Sequence, residues 1–341
     1  MRRYVFIFGA GASKDEGLPI QEELLSTYFN TQRDDECRPI LQRYFQDFYR
    51  IDIDAITHEN IPSFEDTLGI IEAAIENEQN FGKHYTLPSL RTLRTALILA
   101  MGTAIEHARL NIRDTHHRLL HKLFPPGRFH PHEFSFISFN YDLLLDKALM
   151  DILEHDIYVD YKISFANETI HAHPFAQWES PIGKKHISYL KPHGSFNWLC
   201  CPTCHSMYIT GVKESRIFST GYLHNVEHCL KDQSELSYVM QPPSLYMNTR
   251  KHIYLQLVWK HTYDVLSEAD VIIFIGYALQ HADLWLKYLL KKSQFHQQKQ
   301  FHIINPASEE VLRPTFERLL GPVEYHQMEF TEFVNHIDHI I

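Results

Sequence analysis

Hydrophobic residues in this chain occur in short runs that alternate with longer amphipathic stretches. Apolar runs at 4–8, 134–139, 270–275 and 301–304 are rich in β-branched and aromatic residues and too short for helices, which predicts strands. In the stretches between them, apolar residues recur three and four positions apart, as in helices. This alternation predicts an α/β fold with a Rossmann-like, doubly wound, mostly parallel sheet.

The longest helical pattern, from 38 to about 130, lies between the first two predicted strands. Ser63 precedes Asp66 by three residues, which is the spacing of a helix N-cap. We expect a helical insertion over 38–130 whose apolar stripes form core, and we assign no chemistry to it. Its size makes it the expected surface for a homo-oligomer or a partner protein.

The rest of the chain is less regular. The stretch 157–178 is interpreted as a loop or a β-hairpin, and 197–240 as a small cysteine-containing module. We treat residues 1–341 as a single domain, which agrees with a length of 341 residues and 44% apolar composition.

Composition excludes several classes of protein. A formal charge of −10 argues against direct nucleic-acid binding driven by electrostatics. No apolar run approaches the roughly 18 residues of a membrane span. The five cysteines are odd in number and mostly clustered, unlike a disulfide framework, so we expect a cytoplasmic protein. With 24 histidines, any single histidine carries little information.

Small or polar residues follow each of the four predicted strands: Gly9, Asn140, Gly276 and Asn305. In an open parallel sheet, ligands bind at the carboxyl ends of the strands. The pattern therefore predicts one ligand cleft along that edge.

The first of these turns reads Gly9-Ala10-Gly11-Ala12-Ser13 and continues to Gly17 and Pro19. Glycines let backbone N–H groups approach a ligand, and Ser13 can cap the next helix, whose N-terminus favours a pyrophosphate. A dinucleotide site is the first hypothesis. The third glycine of the usual fingerprint is missing, so a glycine turn without a ligand is the alternative.

A histidine flanked by Pro192 and Gly194 is held in a turn, which is unusual for a packing residue. With an ordinary pKa of about 6.5, His193 can accept a proton near neutral pH; the alternative is a purely structural turn. Asn140 and Asp142 have structural alternatives too. Asn140 suits the cap of a helix starting near Leu143, and Asp142 suits the first turn of that helix.

Cys201 and Cys204 have the spacing of half a zinc site. Cys229, His224 or His228 could complete a structural zinc site with four ligands. The alternative is a module held together by packing alone.

In chain order, these motifs resemble the sirtuin-like family, in particular its bacterial branch of NAD-consuming antiphage defence proteins. The matching residues are Gly9 to Ser13, Gly17, Pro19, Asn140, Asp142, His193, Gly194, the cysteine pair, Gly276 and Asn305. The resemblance covers most of the chain outside 38–130.

The resemblance implies an NAD-binding Rossmann-like domain with a small, often zinc-bearing module. It implies that residues 9–13 cradle the pyrophosphate and that Gly276 and Asn305 contact the adenosine half. Asn140 would lie beside the nicotinamide ribose, Asp142 would hold the carboxamide, and His193 would be the catalytic base.

Two departures from the family disfavour protein deacylation. Pro19 is followed by Ile20, Gln21, Glu22 and Glu23 rather than by an aromatic residue and an arginine, and 241–248 has no clear counterpart of the peptide-binding strand. We therefore expect an NAD hydrolase that releases nicotinamide and ADP-ribose and depletes NAD in bacterial defence. The alternatives are a deacylase, an ADP-ribosyltransferase, or a sensor that binds NAD or ADP-ribose without turnover.

An enzyme that destroys NAD must be restrained in the resting cell. Activation through a homo-oligomer or through a separate sensor protein is therefore expected.

Overall fold

A computed structural model describes residues 1–31, 34–53, 56–108, 113–125, 131–152, 157–166, 185–210, 227–242 and 253–341. Its strands are β1 Arg3–Phe8, β2 Glu133–Ser138, β3 Ile157–Asp160, β4 Lys185–Leu190, β5 Gly194–Cys200, β6 Met207–Ile209, β7 Ser237–Met240, β8 Val271–Ile275, β9 Gln300–Ile304 and β10 Glu324–His326.

The helices are α1 Ala10–Asp15, α2 Gln21–Asn30, α3 Cys37–Tyr49, α4 Phe64–Glu76, α5 Leu87–Ala108, α6 Thr115–Leu123, α7 Leu144–Ile152, α8 Ile253–Glu268, α9 Leu284–Ser293, α10 Glu309–Leu320 and α11 Phe330–His336. Within the described ranges, no helix combines the length and apolar character needed to cross a membrane.

Seven strands form one sheet in the order β10-β9-β8-β1-β2-β4-β3, and each of its pairings is parallel. Strand order reverses at β1, which pairs with β2 on one side and β8 on the other. Such a reversal is the switch point where open α/β sheets bind ligands. The predicted fold class, a doubly wound and mostly parallel sheet, is confirmed.

The four strands identified from apolar runs are the adjacent strands β9, β8, β1 and β2. Because they are parallel neighbours, the residues that follow them meet at one edge of the sheet. Buried apolar side chains on both faces, as in β8, account for the unbroken apolar runs.

The predicted helical insertion over 38–130 is present as α3 to α6, between β1 and β2, and α2 precedes it. Helices α2 to α5 build a hydrophobic core of their own around α5, in which Leu90, Leu97 and Met101 are buried. Ser63 caps α4 as expected, since its Oγ accepts from the backbone N–H of Asp66 at 3.0 Å. Tyr141, Phe196 and Met240 join this second core to the sheet region.

The interpretation of 157–178 as a loop or hairpin is wrong for 157–160, whereas 161–166 form a loop as expected. Residues Ile157–Asp160 form β3, which pairs in parallel with β4 at the edge of the sheet. The partner strand follows a long connection, so no local turn signal reveals the pairing. Residues 167–184 lie outside the described ranges.

The expectation that Ser13 caps the first helix is also wrong. Helix α1 starts at Ala10 with Gly9 at its N-cap, so Ser13 lies inside the helix. The helix starts early because Gly9 turns the chain directly after β1, and the Ser13 hydroxyl then points to other partners.

A second sheet of three antiparallel strands, in the order β6-β5-β7, carries the cysteine-containing region. It begins at Gly194, where the chain leaves β4 through a tight turn: the Gly194 N–H donates to the Lys191 carbonyl at 3.0 Å. Gly194 has φ +84°, and a Cβ there would lie 2.0 Å from the Val239 carbonyl oxygen of β7. Any side chain at this position therefore collides with backbone.

We expect Gly194→Ala to lower the free energy of unfolding by more than about 3 kcal/mol, because strain at positive φ adds to the collision with Val239. Gly82→Ala is the matched control: Gly82 has φ +80°, and a Cβ added there would have no heavy atom of the described residues within 4 Å. Its expected cost is about 1–2 kcal/mol. Urea denaturation of both variants checks this, and equal losses would contradict the close approach at Gly194.

Candidate active site

The turns after β1 and β8 pack backbone against backbone at the switch point. A Cβ at Gly9 would lie 2.7 Å from the Gly276 oxygen, and one at Gly276, where φ is +59°, would lie 2.1 Å from the Ala12 nitrogen. The Gly11 N–H donates to the Gly276 carbonyl at 2.9 Å. The fold itself therefore requires these glycines, whether or not a ligand approaches them.

Asn140 joins the ends of β1 and β2. Its Nδ2 donates to the Gly9 carbonyl at 2.9 Å and to Ser13 Oγ at 2.8 Å. Ser13 Oγ in turn donates to Asp142 Oδ2 at 2.7 Å. Three residues singled out in the sequence thus form one hydrogen-bonded chain at the carboxyl edge of the sheet.

The sequence allowed a structural role at the start of the next helix for both Asn140 and Asp142, and in the structure only Asp142 has one. Asp142 Oδ1 accepts from the backbone N–H of Leu144 at 3.0 Å, which is a capping bond at the start of α7. The Asn140 amide instead bridges the two strand ends. Asp142 therefore has a structural role beside its position in the polar chain.

A buried ion pair that sequence reasoning missed lies beneath this chain. Lys191 Nζ donates to Asp146 Oδ2 at 3.0 Å and to the Asp142 carbonyl at 2.7 Å, and both charged side chains are fully buried. The hydroxyls of Tyr161 and Tyr189 also donate to Asp146, each at 2.8 Å. Four hydrogen bonds made together offset the cost of burying two charges.

The same pair connects the polar chain to the predicted base. Lys191 stands two residues before His193 and holds the Asp142 backbone, so it fixes the turn from β4 to β5 relative to β2. A lysine at the end of an apolar strand and an aspartate within a leucine-rich helix were the available signals.

His193 lies in an aromatic enclosure. Its ring meets Phe139 edge to face with centroids 4.9 Å apart, and Trp259 and Tyr141 lie at 6.0 and 6.3 Å. Phe139 and Tyr141 flank Asn140 in the chain, so the histidine sits directly beside the end of β2. Its side chain is only 3% exposed.

Neither ring nitrogen of His193 has a hydrogen-bond partner among the described residues. The nearest charged group is Asp283, whose Oδ1 is 3.7 Å from Nε2. Burial lowers the pKa of His193, and the Asp283 charge and a backbone interaction with Phe139, too weak in geometry for a hydrogen bond, act in the opposite direction. The imidazole is therefore neutral at pH 7, the form that accepts a proton.

Other unpartnered polar atoms belong to neighbours of this histidine. Asp283 Oδ1 and Gln241 Oε1 are buried without a partner in the described part of the chain. Gln241 donates its backbone N–H to the His193 carbonyl at 2.9 Å, and Asp283 Oδ2 accepts from the Tyr277 hydroxyl. Unsatisfied buried groups are rare in proteins, so their concentration around His193 favours a site that receives a polar ligand.

The helical insertion also supplies polar groups, contrary to the expectation that it carries core alone. Glu65, in the first turn of α4, is buried and accepts from the Gln21 side chain of α2. Burial raises the pKa of Glu65 to about 8, and the negative charge of Asp283 contributes to the rise. The position of Glu65 before a hydrophobic helical pattern is that of an ordinary first-turn acid, so its sequence context gives no sign of this burial.

The remaining predicted residues lie around the same edge. Asn305 follows β9, where its Nδ2 donates to the Tyr277 carbonyl at 3.4 Å. Ala10 and Ala12 belong to α1. Gly17, with φ +106°, ends the turn after α1, and Pro19 stands two residues before α2.

The cysteine cluster contains a member that was not expected. Ligand atoms of Cys201, Cys204, Cys229 and Asp232 all lie within 4.8 Å of one another. The Cys204 and Cys229 sulfurs are 3.5 Å apart, and both Asp232 carboxylate oxygens are 3.5 Å from the Cys201 sulfur. His228 is exposed, and His224 lies outside the described residues. An aspartate thus stands where the sequence suggested a histidine.

No known protein family profile matches the chain, and no curated protein matches its sequence. Solved structures with a similar chain trace are homologues of Sir2. One is a complex with NAD, at 15% identity and a TM-score of 0.46, covering 99% of this chain and 90% of the other. Another is a Sir2 complex with an inhibitor, 2′-O-acetyl-ADP-ribose and a deacetylated peptide, at 15% identity and 0.42, covering 99% and 94%.

A third is a mutant Sir2 homologue with 2′-O-acetyl-ADP-ribose, at 14% identity and a TM-score of 0.43, covering 99% and 92%. Sir2 homologues are the family that the ordered motifs resemble. At this level of similarity, these structures assign neither an activity nor a substrate to the chain.

The raised pKa of Glu65 makes stability depend on pH. Folded Glu65 keeps its proton up to about pH 8, whereas the unfolded chain loses it near 4.5, so the free energy of unfolding falls between these values by about 1.4 kcal/mol per pH unit. We expect Glu65→Gln to gain stability relative to wild type as the pH rises from 5 to 8.

Denaturation curves at several pH values check this. Glu310→Gln is the control, since Glu310 is exposed on α10. A difference between Glu65→Gln and wild type that stays constant with pH would contradict the assigned protonation of Glu65.

Proposed function

We propose that this chain is a sirtuin-like NAD glycohydrolase that cleaves the nicotinamide–ribose bond to give nicotinamide and ADP-ribose. The observation that carries the proposal is the neutral, unpartnered imidazole of His193 beside the Asn140–Ser13–Asp142 chain. A purely structural histidine would have its ring nitrogens satisfied.

The reaction needs a positioned nucleophile more than a strong acid, because the nicotinamide leaves as a neutral molecule. His193 accepts the proton of the attacking water or of a ribose hydroxyl. Both Nδ2 hydrogens of Asn140 are used by Gly9 and Ser13, so the amide acts on the substrate through its Oδ1 acceptor. This bonding also fixes the direction in which Oδ1 points, which supports a positioning role.

Asp142 is proposed to hold the carboxamide of the nicotinamide. Its carboxylate already accepts from Ser13 and Leu144, and an ionised carboxylate has further lone pairs for an amide N–H. The turns at residues 9–13 and 17–19 are proposed to face the pyrophosphate, with Gly276 and Asn305 toward the adenosine half. Residues 9–13, Gly276 and Asn305 follow the adjacent strands β1, β8 and β9, which supports a single extended ligand along the edge.

Contacts after Pro19 favour hydrolysis over protein deacylation. Glu23 bonds to the Ile20 N–H and to Lys14, and Gln21 reaches Glu65. Of the residues that replace the aromatic–arginine pair of deacylases, Gln21 is thus bonded to the insertion, and Glu23 is bonded to Ile20 and Lys14. Deacylation, ADP-ribosyl transfer and ligand binding without turnover remain the alternatives to be separated by experiment.

The enclosure of His193 supports a restrained enzyme. With 3% of the side chain exposed, the base meets substrate only after the surrounding aromatic groups move. We propose that assembly into a homo-oligomer, or a separate sensor protein, promotes this opening, and that the open enzyme depletes NAD in defence.

The cysteine cluster is proposed to hold a structural zinc ion. Backbone N–H groups of Thr203 and Cys204 donate to the Cys201 sulfur at 3.4 and 3.3 Å, and Lys231 donates to Cys229 at 3.4 Å. Such bonds stabilise thiolates, and three sulfurs with a carboxylate suit a tetrahedral zinc site. In this role, the ion ties β5 and β6 to the segment before β7.

Nicotinamide release from NAD, followed by chromatography at low and high protein concentration, tests the function. We expect release without added peptide, and a loss of about 10²–10⁴-fold in His193→Ala and a large loss in Asn140→Ala. His228→Ala, which changes an exposed histidine, is the matched control and should retain activity.

Release that survives His193→Ala would contradict the mechanism. If no release occurs at any concentration, calorimetry with NAD decides between the remaining cases. Binding without release would favour the sensor, and absence of binding would refute the proposed site.

A separate prediction about the pH dependence of activity follows from the carboxylate of Asp283. Because its charge raises the pKa of His193, Asp283→Asn should lower that pKa further and move the acid limb of the kcat/KM profile to lower pH. Asp264→Asn, on α8, should leave the profile in place. An unchanged acid limb in Asp283→Asn would mean that His193 is not the group seen in the profile.

A further inference from the structure

Two histidines and a glutamate meet on the two outermost strands at the β10 edge of the main sheet, next to Asn305. In the β9–β10 pairing, Glu324 lies opposite His302 and His326 lies opposite Ile304. Paired residues, and residues two apart on a strand, point to the same face of a sheet. All three side chains therefore share one face.

The distances between their ligand atoms fit a single metal ion. His302 Nδ1 is 3.2 Å from His326 Nε2 and 3.5 Å from Glu324 Oε2, and the three atoms lie within 4.8 Å of one another. Ligand atoms bound tetrahedrally at about 2.0–2.1 Å are separated by about 3.3–3.4 Å. The observed separations bracket that value.

Burial differs among the three groups in a way that suits a site reached from solvent. The His302 side chain is 8% exposed, whereas that of Glu324 is 64% exposed.

We propose that His302, Glu324 and His326 form a second metal site, for a divalent transition ion such as Zn²⁺. Imidazole and carboxylate are ligands that zinc accepts, and three protein ligands leave a fourth position for water. Without an ion, the same groups amount to one histidine–histidine hydrogen bond and a partly exposed ion pair, which contributes little to stability.

The site has a structural consequence. Strand β10 is three residues long, and its His326 carbonyl accepts the Asn305 N–H at 3.2 Å. An ion shared by His302 and His326 would cross-link β10 to β9. The cross-link would lie near the end of β9, which Asn305 follows. A metal ion that binds the folded chain but not the unfolded chain also raises the temperature of thermal unfolding.

Zinc titration against a chromogenic chelator tests the site, in a Cys204→Ser, Cys229→Ser background that removes two ligands of the cysteine cluster and is first shown to fold by circular dichroism and thermal unfolding. After metal is stripped from the full chain, we expect one Zn²⁺ per chain. His326→Gln or Glu324→Gln in that background should weaken binding by more than about tenfold, since even loss of a group supporting a ligand costs 10–100-fold. Because the Glu324 side chain is exposed, we expect Glu324→Gln to fold as the background protein does. The chain with all its cysteines gives a second comparison, in which Glu324→Gln should lower the zinc content by one ion per chain.

His336→Gln, His339→Gln is the matched control, because these two rings also stack, with centroids 6.5 Å apart, elsewhere in the chain. It should bind Zn²⁺ as the background does. Co²⁺ should give visible d–d absorption without a thiolate charge-transfer band, and this spectrum should disappear in the His326→Gln and Glu324→Gln variants. Absence of Zn²⁺ from the background protein, or equal affinity in these variants, would overturn the proposal.

Discussion

The structure depends on the close backbone contact between the turns that follow β1 and β8. Gly9 and Gly11 on one side and Gly276 on the other leave no room for a Cβ, and the Gly11 N–H bonds directly to the Gly276 carbonyl. This contact holds the two central strands in register at the switch point. The ends of β2 and β9 are then placed on either side, and so are Asn140 and Asn305.

Electrostatics around the site are organised in two layers. Beneath it, the ion pair of Lys191 with Asp146 is fully satisfied and ties the His193 turn to the end of β2. Above it, His193 and Asp283 keep polar atoms without partners among the described residues. A rigid ion pair whose charged groups have hydrogen-bond partners thus supports a surface whose buried polar atoms have none. This arrangement is expected where a bound substrate completes the hydrogen bonding.

The helical insertion is more than a surface for partners. Through Glu65, which accepts from Gln21 of α2, it places a carboxyl with a raised pKa within electrostatic reach of Asp283. Movement of the insertion therefore changes the electrostatic surroundings of the proposed base. For the oligomer proposed above, assembly through that surface would act on the proposed base by this electrostatic route.

Sequence alone determined the alternation of strands and helices, the four strand ends and the ordered motifs around Gly9, Asn140 and His193. These follow from local periodicity and from the rule that parallel strands share a carboxyl edge.

The tertiary structure decided which side chains meet across long separations. Lys191 and Asp146 are 45 positions apart, and Cys201 and Asp232 are 31 apart. The sequence around each of these residues does not identify its partner, because an aspartate in a helix or a loop has the pattern of an ordinary polar residue until another segment packs against it. The edge strand β3 and the cluster of His302, Glu324 and His326 belong to the same class. Each depends on which strand becomes a neighbour, and that choice is made by packing of the whole chain rather than by any one stretch of residues.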